Sequence, residues 1–144
     1  MSKERTQAIR YEINDNFLKF RFRYYDKNQS IVEIRNFVLL RQIIESDYPT
    51  FSGLMLERYF RLKMIESHQY SAIGSWWERK KGKEANEIDI IGIRAEGKKA
   101  LVAEVKRQRC NYDHKLFTEK VEHLKNAILS NYDIETCLWT MEDM

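Results

Sequence analysis

Proline, glycine and cysteine are scarce in this sequence: its 144 residues hold one proline, Pro49, five glycines and two cysteines, and residues 1–48 contain neither glycine nor proline. So few chain breakers leave no room for a flexible low-complexity linker, and no internal repeat is visible. Cys110 and Cys137 lie far apart without CxxC spacing, which argues against a disulfide framework or a structural zinc site and leaves reduced thiols as the expectation. Long hydrophobic runs are absent. The longest extend only a few residues, too short for a membrane span or the apolar region of a signal peptide, so a soluble cytoplasmic chain with no membrane partner is expected. The phosphate-binding pattern GxxxxGK[ST] does not occur, and no serine or cysteine nucleophile constellation stands out. His68, His114 and His123 form no i,i+4 pair and read as surface or hydrogen-bonded histidines rather than metal ligands. A net charge of +3 is too small to establish a nucleic-acid partner by itself.

What remains is a chain that is 43% hydrophobic, which suits one compact domain. Two zones differ in texture. Residues 1–48 are aromatic-rich, with Phe17, Phe20, Phe22, Tyr24 and Tyr25 followed by Ile31 to Ile44, and read as an N-terminal extension of two helices packed on the core. Within it, NFLKFRFRYY fits a strand as well, because Phe20, Phe22 and Tyr24 alternate with charges and periodicity does not arbitrate over so short a run. Pro49 then punctuates the chain, and Thr50 is placed to cap a helix from about Phe51 to Glu66. From there residues 49–144 read as an α/β core. SAIGSWW is a strand, KKGKEAN a loop, and EIDIIGI and KALVAEVK are strands joined by a turn at Glu96 and Gly97. A helix from Asp113 to about Leu129 carries Leu116, Phe117, Val121, Leu124 and Ile128 on one face, and ETCLWTM closes as a strand.

The hairpin contains a chemical anomaly. With the turn centred on Glu96 and Gly97, Ala95 faces Lys98, Arg94 faces Lys99, and Asp89 falls opposite Glu104. Leu101, Ala103 and Val105 then point to one face, and Glu104 and Lys106 to the other with Ile91, Ile93, Ala100 and Val102. That second face is too apolar for open solvent. Directly opposed side chains sit about 4.5–5.5 Å apart at Cβ, where like charges destabilise the pair. Lys106 neutralises one acid only, and a hard divalent cation such as Mg²⁺ or Mn²⁺ is the natural compensator, since Mg²⁺ takes one or two carboxylates, keeps several waters and completes its shell from phosphate. A slip of one residue in register would part the two acids. Glu57 is a third acid of interest. On LMLERYFRLKM its neighbours at i−3, i+3 and i+7 are Leu54, Phe60 and Met64, an apolar stripe in which a glutamate needs a partner, either Arg61 one turn on or a site beside the hairpin.

Basic residues flank the acids. Arg79, Lys80, Lys81 and Lys83 form one cluster, and Lys106, Arg107, Gln108 and Arg109 a polar strand exit, readable as a nucleic-acid surface or as ordinary solvated charge. Trp76 and Trp77 have the chemistry to stack bases, and equally to pack.

An acid on one strand, an ExK on its hairpin partner and a glutamate on the preceding helix resemble the PD-(D/E)xK nuclease superfamily. More narrowly, the run from IGSWW through EIDIIGI to ALVAEVK, with NDNFLKFRF on its N-terminal side, is similar to an uncharacterised nuclease-like domain at the C-terminal end of a group of prokaryotic P-loop ATPases. The likeness spans most of residues 11–110. It implies a restriction-endonuclease-like mixed β-sheet flanked by helices, and metal-dependent hydrolysis of DNA phosphodiester bonds. It also implies that Asp89 and Glu104 ligate Mg²⁺ or Mn²⁺ with the Val105 carbonyl, that Glu57 supports them, and that Lys106 orients the attacking water. Ile88 stands where the superfamily name has proline, and the ATPase portion of the narrower family is absent. Gln108 and Tyr112 spell the QxxxY pattern of some branches, which there lies further along on a helix. The alternative is a noncatalytic module that binds nucleic acid or docks to a P-loop ATPase, or a homodimer built through the aromatic N-terminal segment.

Overall fold

The computed structural model describes residues 13–78 and 86–144. The cluster Arg79, Lys80, Lys81 and Lys83, expected to touch nucleic acid, lies outside the described residues. The chain divides into two compact units, Met1–Tyr48 and Pro49–Met144.

In the first unit the aromatic segment is helical throughout. Asp15 caps α1, Asn16–Phe20, by accepting from the Leu18 amide at 2.8 Å, and the chain continues through a π-helical turn, Arg21–Tyr25, and a 3-10 turn, Asp26–Asn28, into α2, Gln29–Glu33. The strand reading of NFLKFRFRYY therefore fails. Its alternation of aromatics with charges serves a helical path, along which Phe20 and Tyr24 lie one turn apart with ring centroids 4.7 Å from each other. Tyr24 is buried, and its hydroxyl joins Arg23 in binding the Asp47 carboxylate at 2.7 Å.

Helix α3 runs from Phe37 to Glu66 and carries Pro49 inside it. Thr50 is consequently not a cap; Asn36 is, accepting from the Leu39 amide at 3.2 Å. An interior proline costs a helix about 3 kcal/mol because it cannot donate to the carbonyl four residues back. Burial of Phe51, Leu56, Phe60 and Met64 along one stripe, at roughly 1.5–3 kcal/mol per large apolar side chain, more than offsets that loss.

The second unit is a four-stranded mixed sheet in the order β1-β2-β3-β4, with β1 Tyr70–Glu78, β2 Asn86–Arg94, β3 Lys99–Val105 and β4 Asp133–Trp139. The first three strands are antiparallel and β4 joins β3 in parallel. Gly97 makes the β2–β3 turn at φ 72°, a region open to glycine at little cost. Both faces are covered. Leu56, Phe60 and Met64 of α3 pack on Ile90, Leu101, Ala103 and Val105, with the Phe60 and Trp139 rings stacked at 4.9 Å. Helix α4, His114–Ala127, capped by Asp113, lays Phe117 and Leu124 with Leu129 against Ile88, Ile91, Ala100 and Val102 on the opposite side. Leu116 and Ile128, expected on that inner face, are exposed instead, because the packed stripe of α4 passes through Phe117, Val121 and Leu124. From Ala100 to Val105 every residue of β3 is buried, as befits a strand sandwiched between two helical layers. Among the described residues no helix is long and apolar enough to cross a membrane.

Candidate functional site

The β2–β3 ladder pairs Ile90 with Ala103, Ile91 with Val102, Gly92 with Leu101 and Ile93 with Ala100, the register expected from the turn. Asp89 is next in line, but it does not stand on the sheet face as a cross-strand partner of Glu104. On its other side β2 carries a bulge: Gly74 faces Ile91 while Trp76 faces Ile88, so Asp89 and Ile90 together oppose the single residue Ser75. Strict alternation would put Ile88 on the face of Ile90. It packs with Ile91 under α4 instead. The bulge turns the Asp89 carboxylate onto the neighbouring strand, where its Oδ2 accepts the Val105 amide at 2.7 Å.

Glu104 projects on the α4 side, only 4% exposed. Its Oε1 is held by two ammonium groups, Lys106 Nζ at 2.8 Å and Lys120 Nζ at 3.4 Å. Its Oε2 is buried and has no hydrogen-bond partner. An ionised carboxylate has about four acceptor sites, and leaving one oxygen dry is costly in a protein interior.

Glu57 enters from α3. Burial, then the charges of Asp89 and Glu87, push its carboxyl up to about 7, with Arg61 and Lys106 acting in the opposite sense. Arg61 does not answer Glu57 with a hydrogen bond of its own; its Nη2 donates to the Asp89 carbonyl at 3.0 Å. Burial also raises Asp89, aided by the Glu104 charge and resisted by the Val105 amide, Lys106 and Lys120. For Lys106 burial opposes the charge, yet the hydrogen bond to Glu104 and the fields of Glu104, Asp89 and Glu57 prevail and hold it above the usual lysine value. Glu57, Asp89, Glu104 and Lys106 thus share one electrostatic neighbourhood, although they arrive from both sides of the sheet.

The other expected residues are more scattered. Trp76 packs into the α4-side core, and Trp77 is 62% exposed. Arg107 is half-buried, while Gln108 and Arg109 are exposed, and Arg109 pairs with Glu142 and Asp143 near the C-terminus. Gln108 precedes a 3-10 turn, Arg109–Asn111, rather than lying on a helix, and accepts weakly from Cys110. Tyr112 packs edge-on to Phe117, and burial followed by the Glu104 charge raises its hydroxyl.

Sequence reasoning missed Lys120. The signal was present: Lys120 stands three residues after Phe117 and four before Leu124, both buried, so a cation occupies the packed side of α4 just as Glu57 occupies that of α3.

Among the described residues no group of three or more histidine, cysteine or acidic side chains is arranged to hold a metal ion on its own. Asp89 and Glu104 are two carboxylates of this neighbourhood, and Oε2 of Glu104 is a buried oxygen without a partner.

The model of a family, DUF234, described as archaea bacterial proteins of unknown function, matches residues 21–124. The uncharacterized protein MJECL04 of Methanocaldococcus jannaschii is 36% identical in an alignment of 104 residues covering 67% of this chain and 22% of that protein. The chain therefore spans about a fifth of the length of this curated relative. No solved structure matches.

Proposed function

The chain belongs to the DUF234 family, and from that premise we propose that its acidic cluster is the site of a metal-dependent nuclease of the PD-(D/E)xK kind, hydrolysing DNA phosphodiester bonds. The observation that carries this reading is the Glu104 carboxylate, nearly sealed from solvent, with one oxygen doubly held by lysines and the other unpartnered, in a neighbourhood whose charge Asp89 feels. Asp89 and Glu104 would hold Mg²⁺ or Mn²⁺, with the Val105 carbonyl and Glu57 in support. When bound, such a cation lowers the pKa of water and stabilises charge on phosphorus. Lys106, whose side chain is about a third exposed, would orient the attacking water and meet the phosphate. The bulge at Asp89 brings an acid from β2 to the end of β3 without a ladder pair of like charges.

A second reading draws on the same residues. Arg61, Lys106 and Lys120 set three cations against Glu57, Asp89, Glu104 and Glu87, so most of the acidic charge is balanced without any added ion. That balance favours a noncatalytic module that binds nucleic acid or docks on a P-loop ATPase.

Purified protein with duplex DNA separates them. Nuclease chemistry predicts Mg²⁺- or Mn²⁺-dependent nicking that vanishes in Asp89→Asn, Glu104→Gln and Lys106→Met while circular dichroism is unchanged. Cleavage persisting in all three variants would exclude this site. Absence of cleavage in the wild type, with DNA binding that weakens as salt rises and survives Glu104→Gln, would establish the binding module.

A further inference from the structure

We infer that Lys120 is a positioning residue of the acidic site: with Lys106 it pins Oε1 of Glu104, which leaves Oε2 as the oxygen presented to a bound cation. This rests on the nuclease reading of the site. The two lysines reach the same oxygen from different elements. Lys106 lies two residues along the chain on the same side of β3, whereas Lys120 comes across from α4 with its side chain only 16% exposed. Lysine is almost never buried without a partner, and Glu104 is the partner seen here. A carboxylate bound by a single ammonium is free to rotate about its terminal torsion, which is soft and roughly two-fold. Two ammonium groups, one from the residue that follows β3 and one from α4, remove that freedom. Both gather on Oε1, and Oε2 is left over.

Charge and position predict opposite signs for the loss of Lys120, and this makes the inference testable. If the ammonium only balanced charge, removing it would relieve repulsion and tighten cation binding. If it positions Glu104, removing it frees the carboxylate and weakens binding; loss of an outer partner of a metal ligand typically costs about 10- to 100-fold in affinity. Calorimetric titration of the full chain with Mn²⁺ reads the sign directly in wild type, Glu104→Gln, Lys120→Met and Lys120→Gln. We expect wild-type binding that Glu104→Gln abolishes, a fall of about tenfold in Lys120→Met, and a smaller fall in Lys120→Gln, whose amide keeps one donor for Oε1. Affinity in Lys120→Met equal to or above wild type, with Glu104→Gln still abolishing binding, overturns the role of Lys120 alone. A wild type that takes up no Mn²⁺ sinks the underlying site reading instead.

Should both lysine variants unfold, NMR of the wild type decides the matter. The Lys120 ammonium should show a scalar coupling to the Glu104 carboxylate that persists when Mg²⁺ is added. Its disappearance on Mg²⁺ addition would mean that the cation displaces Lys120, and the inference would fall.

Discussion

The backbone amide of Val105 donates to the carboxylate of Asp89 at 2.7 Å, so an acidic side chain supplies the acceptor where the bulge takes β2 out of step with β1. Asparagine at this position keeps a carbonyl oxygen for the amide; alanine leaves a buried N–H unsatisfied, at about 1–3 kcal/mol. We predict that Asp89→Ala lowers the urea midpoint by an amount in that range while Asp89→Asn stays near wild type. Equal midpoints for the two variants would mean that the Val105 amide finds another acceptor.

Glu57 gives a prediction about pH. Its carboxyl titrates at about 7 in the folded protein, against 4.5 when free, chiefly because burial on α3 disfavours the charge. A folded-state value raised in this way contributes stability that is fully present below about pH 4.5 and is lost as pH rises through 7. Glutamine mimics the neutral form at every pH. Each pKa unit corresponds to about 1.4 kcal/mol, and water reaching a half-buried side chain screens part of this, so Glu57→Gln should stabilise by about 1–2 kcal/mol at pH 8. The gap between the variants should close by pH 4.5. Denaturant unfolding at the two pH values measures it, and a constant difference would show that Glu57 does not titrate in between.

The hairpin was legible because its signals are local. Gly97 and the alternation of Leu101, Ala103 and Val105 specify the turn and the register, and the four ladder pairs follow from them. The bulge was not legible, because it depends on β1 matching two residues of β2 with one of its own, a pairing between distant segments. The same limit hid the compensation of charge. Sequence reasoning counted Lys106 alone against two acids, but tertiary packing adds Lys120 and Arg61, from helices on opposite faces. Pro49 misled for a different reason: local propensity ends a helix there, and burial of Phe51, Leu56, Phe60 and Met64 overrides it.

At Gly92 the Met64 side chain of α3 comes close against the sheet backbone. A Cβ built there meets the Tyr70 ring at 2.7 Å and collides with the Met64 Cε. The methionine tip can swing away, but the ring is flanked as well by the Arg94 guanidinium, 5.1 Å from its centroid. Overpacking of this kind costs about 1–3 kcal/mol. Gly92→Ala should lower the melting temperature accordingly, and in a Met64→Ala background it should still cost more than half as much relative to Met64→Ala alone, because the clash with the ring remains. No cost of Gly92→Ala in that background would place the conflict at Met64 alone.

In the first unit, Asp47 accepts from Nε and Nη2 of Arg23, one edge of the guanidinium, and from the Tyr24 hydroxyl, and these bonds hold its carboxyl down to about 2 while Tyr24 is pushed up to about 12, mainly by burial. The sign for Asp47 is the reverse of that for Glu57. A depressed folded-state value means that the stabilisation is present above the ordinary aspartate range, near 3.9, and disappears as pH falls through about 2. Carboxyl-detected NMR should therefore find Asp47 titrating well below the other aspartates. Arg23→Lys keeps the charge but loses the planar fork that engages both oxygens, so it should move the Asp47 midpoint upward toward the ordinary value. An unchanged midpoint in Arg23→Lys would assign the depression to net charge rather than to the paired hydrogen bonds.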